Sequence, residues 1–81
     1  MKIMKFGAPW CGPYKIQDKI LNELIDEGYE VEFVNVDEQE ELAIKYDVMN
    51  VPSIIIFDND NNEVNRFIGL TQKNVLIEAL S

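Results

Sequence analysis

The chain has 81 residues, 47% of them apolar, and carries 7 basic against 15 acidic residues for a formal charge of −8. That length allows one small domain near the lower limit at which a core folds without staples, and the single cysteine excludes a disulfide scaffold, so folding must rest on the apolar residues. The charge has the wrong sign for gripping a phosphate backbone, and Lys2, Lys5, Lys15, Lys19, Lys45, Arg66 and Lys73 form no cluster, which argues against nucleic acid as a direct ligand.

Met1 to Phe6 run at once into Gly7-Ala8-Pro9 and lack the apolar stretch of a signal peptide, and no apolar run approaches the roughly 18 residues of a membrane span. No membrane association is expected, and a lone cysteine suits a reducing cytoplasm.

Lys2 to Phe6 is expected to form a short strand, ended by Gly7-Ala8-Pro9. Between Pro13 and about Glu27, Ile16, Ile20, Leu21, Leu24 and Ile25 recur at helical spacing, while Lys15, Asp18, Lys19, Glu23 and Asp26 occupy other faces. Pro13 suits the first turn of this amphipathic helix and Gly28 its end. Val31 to Val36 is rich in strand formers, and a second, shorter helix is expected from about Gln39 to Tyr46. This alternation argues for parallel strands joined by right-handed crossovers, with the sheet covered on both faces. Ser53 to Phe57 is the near-continuous apolar run of a strand in the middle of the sheet. Asp58 to Asn62 supplies turn residues, Glu63 to Ile68 returns as an antiparallel partner, and Gly69 ends it. Thr71 can cap a last helix whose apolar face is Val75, Leu76, Ala79 and Leu80. The reading is a single α/β domain over residues 1–81 in the order βαβαββα.

The chemistry concentrates in Ala8-Pro9-Trp10-Cys11-Gly12-Pro13-Tyr14-Lys15, between the first strand and the first helix. A cysteine there faces unsatisfied backbone N–H groups and the positive end of the helix dipole, both of which favour the thiolate. The thiolate is the nucleophile, so Cys11 is expected to be reactive rather than a buried structural cysteine.

This segment resembles the thioredoxin active-site motif Trp-Cys-Gly-Pro-Cys-Lys at every position except Tyr14. Val51-Pro52-Ser53 resembles the family's cis-proline loop, and Gly69 matches the glycine that borders the same substrate groove. The resemblance covers essentially the whole chain, although the family's usual additional N-terminal strand and helix are not found in it. It implies a minimal thioredoxin fold, a four-stranded mixed sheet flanked by helices, and thiol–disulfide exchange in cell redox homeostasis. It also implies a cis Val51–Pro52 bond, where only roughly 5% of X–Pro bonds are cis in general. By the same resemblance Cys11 is the nucleophile, Gly12 and Pro13 shape the helix start, and Trp10, Val51, Pro52 and Gly69 form the substrate groove. The implied partners are disulfide-bearing protein substrates and a thiol reductant or reductase; the protein is expected to be a monomer, with no cofactor or metal.

Two departures matter. Tyr14 stands where the family has its resolving cysteine, and a phenol cannot form the internal disulfide, so a mixed disulfide on Cys11 would persist until an external thiol resolved it. Cysteine and tyrosine codons differ by one base, which leaves open both a change from a dithiol parent and a natural single-thiol variant. The tyrosine ring is expected to lie along the first helical turn and to do no chemistry. Lys5 stands six residues before Cys11, where thioredoxins carry a buried carboxylate. Under the active site it would supply a positive charge and lower the Cys11 pKa; otherwise its ammonium reaches water or pairs with a glutamate.

Two rival functions are weighed. A monothiol glutaredoxin also works with one cysteine, but Gly12-Pro13-Tyr14 is not that family's Gly-Phe-Ser, and Gly69-Leu70-Thr71 lacks its glutathione-binding aspartate. A redox-independent binding module would use the groove around Trp10 and Val51-Pro52 without any thiol step. Asp58, Asp60 and Asn62 have the spacing of the first calcium-loop ligands, yet Glu63 and Gly69 occupy the positions that need glycine and glutamate, so the segment is expected to be a hairpin turn.

Overall fold

The structure, a computed structural model, describes residues 1–9 and 14–81, apart from the Tyr14 side chain. The elements are β1 (Lys2–Gly7), α1 (Tyr14–Asp26), β2 (Glu30–Asn35), α2 (Glu40–Lys45), β3 (Ser53–Phe57), β4 (Glu63–Ile68) and α3 (Lys73–Leu80). They build a four-stranded sheet in the order β2-β1-β3-β4.

The 13 residues of α1 rise about 20 Å, enough to carry the chain back along a six-residue strand, and β2 accordingly lies parallel to β1 with Lys2 opposite Glu30 and Gly7 opposite Asn35. The six residues of α2 rise only about 9 Å. After α2 the chain passes to the far side of β1 from β2, where β3 runs antiparallel to β1, with Phe6 opposite Ser53. The parallel pairing argued from the alternation of strands and helices is confined to β1 and β2, and the sheet is the mixed one that the resemblance implies. β4 returns antiparallel on β3.

The two-residue period of β1 splits the core. Ile3 packs with Ile20, Leu21 and Leu24 of α1, Ile54 and Ile56 of β3 and Leu76 of α3. Met4 and Phe6 pack on the other face with Val34, Ile55 and Phe57, under Leu42 and Tyr46. The Tyr46 ring meets Phe57 edge-on at 5.4 Å and tilts against Phe6 at 6.0 Å between centroids. β1 and β3 are covered on both faces, as their apolar runs require, whereas β2 and β4 are edges and largely exposed.

Three sequence-based expectations shift. The buried stripe of α1 is Gln17, Ile20, Leu21 and Leu24; Ile16 and Ile25 fall on its flanks and are exposed. Val75 is exposed on α3, where Leu76 is the fully buried residue. Thr71 does not cap α3: Gln72 holds the cap position without a side-chain bond, because the Thr71 hydroxyl donates to Gly69 O instead. Gly28 ends α1 with φ +99°, and the Gly28 and Tyr29 N–H groups donate back to Ile25 O and Leu24 O, a Schellman closure. The Asp58–Asn62 segment is the hairpin turn: Asp58 Oδ1 accepts the N–H groups of Asp60 and Asn62, which hold its carboxyl below the usual carboxylate range.

Arg66 ties β4 to the end of α2. Its guanidinium donates to Tyr46 O at 2.6 Å and Asp47 O at 3.2 Å while pairing with Glu63. The hydrogen bond from Arg66 keeps the Glu63 carboxyl below its ordinary value. Because α2 has no fully buried residue, this fork is a main anchor of its C-terminal end. Arg66→Ala is expected to lose about 1–2 kcal/mol in urea unfolding, and Arg66→Lys nearly as much, since an ammonium cannot reproduce the planar fork. A loss below about 0.5 kcal/mol for Arg66→Ala, the range of ordinary surface substitutions, would contradict this account.

Candidate functional site

The strand registers bring several distant segments to one edge of the sheet. Gly7 closes β1 opposite Asn35, and Val36 N donates to Gly7 O at 3.0 Å. Ser53 opens β3 opposite Phe6 on one side and Ile68, the last residue of β4, on the other. The loop leaving β1, Val36, Val51-Pro52 and Gly69 thus gather where β1, β2 and β4 end, the usual position of sites in open α/β sheets. Trp10, Cys11, Gly12 and Pro13 belong to that loop but lie outside the described residues, as does the side chain of Tyr14, the first residue of α1.

Of the expected groove residues, Val51 and Pro52 are joined by a cis peptide bond, and Pro52 is buried. Gly69 N donates to Pro52 O at 2.8 Å, so the two landmarks are in direct contact. Gly69 holds φ +90°, a conformation that L side chains rarely adopt. Beside them lies a cavity of about 350 Å³ lined by Val36, Val48, Met49, Asn50 and Val51. The Met49 side chain is 85% exposed at its rim.

Lys5 is 1% exposed and faces α1 from the middle of β1. Its Nζ donates to Asp18 Oδ1 at 2.7 Å, one helical turn beyond Tyr14, and lies 5.9 Å from the centre of the Phe33 ring, its neighbour on β2. The ammonium is thus buried and paired with an aspartate. Asp18 offsets the positive charge that Lys5 was expected to supply.

Two partners escaped the sequence reading. Asp18 stands off the apolar stripe of α1; the signal for it is Lys5, flanked by Met4 and Phe6 in β1, whose ammonium needs a carboxylate within reach when buried. Gln17 was not singled out, although it falls three and four residues before Ile20 and Leu21, on the buried stripe. Its amide bonds both ends of Thr71: Oε1 accepts from Thr71 N at 2.7 Å and Nε2 donates to Thr71 O at 3.1 Å. Among the described residues no group of three or more His, Cys, Asp and Glu side chains could hold a metal ion, and no helix is long and apolar enough to cross a membrane.

Comparison with known proteins agrees with this architecture. The Thioredoxin family model matches residues 1–81. A thioredoxin of Staphylococcus epidermidis is 36% identical over 83 residues, covering 99% of this chain and 79% of that protein. A thioredoxin of Mycoplasma genitalium is 35% identical over 81 residues, covering 98% and 78%. The X-ray structure of Fasciola hepatica thioredoxin superimposes with a TM-score of 0.88 at 33% identity, covering 98% of this chain and 76% of that one. The family model, the sequence identities and the shared four-stranded mixed sheet agree, and the chain belongs to the thioredoxin family.

Proposed function

We propose that this protein performs thiol–disulfide exchange through Cys11 on disulfide-bearing protein substrates and relies on an external thiol to finish the reaction. Family and fold support a thiol–disulfide oxidoreductase type of function, and thioredoxins in general act on protein disulfides. The observation that carries the reading is the contact of Gly69 with Pro52 at the sheet edge where the Cys11 loop leaves β1, which supports a peptide groove next to the thiol.

In the first step the Cys11 thiolate attacks one sulfur of a substrate disulfide: a bond forms between Cys11 and that sulfur, and the other sulfur leaves as a thiolate. A low-molecular-weight thiol or dithiol then attacks the mixed disulfide and takes over the bond to one of its sulfurs; attack at the substrate sulfur regenerates Cys11, and attack at the Cys11 sulfur frees the substrate as a thiol. Trp10, Val51, Pro52 and Gly69 line the groove, Gly12 and Pro13 shape the helix start, and Tyr14 takes the place of the resolving thiol without replacing its chemistry. The positive end of the α1 dipole favours the thiolate of Cys11. The proposed setting is the cytoplasm, with the protein acting as a monomer.

The test is adduct formation with a disulfide-bridged peptide across a range of pH, followed by mass spectrometry. One peptide chain should be captured by the protein and none by Cys11→Ser, and added dithiothreitol should release it. The rate should rise with a midpoint below the free-cysteine value of about 8.5. Absence of an adduct would sink the exchange reading, and a midpoint at or above that value would sink the activated thiolate.

A further inference from the structure

Gln17 is fully buried on a stripe otherwise made of Ile20, Leu21 and Leu24. An apolar side chain would fill that position without the cost of taking an amide out of water. What the amide adds is geometry. It clasps the N–H and C=O of a single residue, Thr71, in the loop between β4 and α3. From there the bonds continue: the Thr71 hydroxyl donates to Gly69 O at 3.1 Å, and Gly69 N donates to Pro52 O at 2.8 Å. A continuous relay therefore runs from the first turn of α1, the helix that follows the Cys11 loop, to the loop that enters β3.

We propose that Gln17 is a positioning residue that sets the Gly69–Thr71 wall and the Pro52 loop at a fixed distance from the start of α1, so that an extended polypeptide lying along them is held in register with Cys11. The inference rests on the exchange function proposed above and specifies its substrate: a disulfide within a polypeptide long enough to touch that wall. A small aromatic disulfide makes no use of the wall and needs only the thiolate.

The experiment compares single-turnover rate constants of Cys11 with insulin and with 5,5′-dithiobis(2-nitrobenzoic acid), in the wild-type chain and in Gln17→Met. Taking the ratio of the two rates cancels any change in thiolate fraction. The insulin-to-small-disulfide ratio is expected to fall about tenfold in Gln17→Met, the scale of a misplaced substrate. Gln17→Leu serves in the same way where the methionine variant does not fold. Amide hydrogen exchange gives a second reading: Gly69 N–H, which does not touch Gln17, should exchange faster in the variant. An unchanged ratio or unchanged Gly69 exchange, with a wild-type chain that reacts with insulin, overturns the positioning role and leaves the exchange function standing. A wild-type chain that reacts only with the small disulfide overturns both.

Discussion

Tyr14→Cys is expected to convert a chain that waits at the mixed disulfide for an external thiol into one that resolves it internally, raising the catalysed rate of insulin reduction by dithiothreitol at least about a hundredfold over the unsubstituted chain. The reason is molecularity. As the chain stands, each mixed disulfide waits for a collision with an external thiol present at millimolar concentration. A thiol at position 14, three residues from Cys11 and on the first turn of α1, would attack the same bond intramolecularly, and well-oriented groups reach effective molarities of about 10⁵ M or more. The products balance: the introduced thiolate bonds to the Cys11 sulfur, the substrate leaves as a thiol, and dithiothreitol reduces the internal disulfide. Insulin turbidity with both chains side by side is the measurement. Acceleration by Tyr14→Cys alone means that the frame is a working thioredoxin halted at its second step. If neither chain accelerates reduction, the exchange reading loses its main support and a redox-independent binding module takes its place.

Much of the fold was legible because its signals are local. The run Ile54-Ile55-Ile56-Phe57 announces a strand covered on both faces, and Gly28 stands where the helix stops, with the positive φ that glycine tolerates. The direction of β3 was harder to read, because alternation of strands and helices says nothing about whether a helix is long enough to bring the chain back. The 17 residues between β2 and β3 can reach either end of the sheet, so the direction of β3 is set by its pairing with β1 and not by a local pattern.

The candidate site divides in the same way. Val51-Pro52 and Gly69 were found through their resemblance to the family, and their mutual contact follows from the β3–β4 register. Gln17 and Asp18 were missed because polar residues on an amphipathic helix are read as solvated. Their partners, Thr71 and Lys5, lie 54 and 13 residues away. No local pattern encodes such a pairing. The phase of the stripe Ile20, Leu21 and Leu24, extended one turn backwards, is the only sequence signal for Gln17.

The Lys5–Asp18 pair should prove strongly asymmetric when it is broken. Lys5 is 1% exposed at its side chain and Asp18 is 22% exposed, so the two charges have unequal access to water. Asp18→Ala takes the carboxylate from an ammonium enclosed between β1 and α1, and the expected cost is about 3–5 kcal/mol, a large fraction of the roughly 5–15 kcal/mol that holds a small domain together. Lys5→Met leaves a carboxylate that can turn to solvent and fills the site with an apolar chain of similar length, so its expected cost is within about 1 kcal/mol of zero. The double variant Lys5→Met/Asp18→Ala should recover most of what Asp18→Ala loses, giving a coupling energy above about 2 kcal/mol in the mutant cycle. Urea unfolding of the four chains measures all three quantities. Equal costs for the two single variants would mean that Lys5 is solvated in ways its burial does not suggest. The helix start would then depend on Asp18 through its place on α1 rather than through the ion pair.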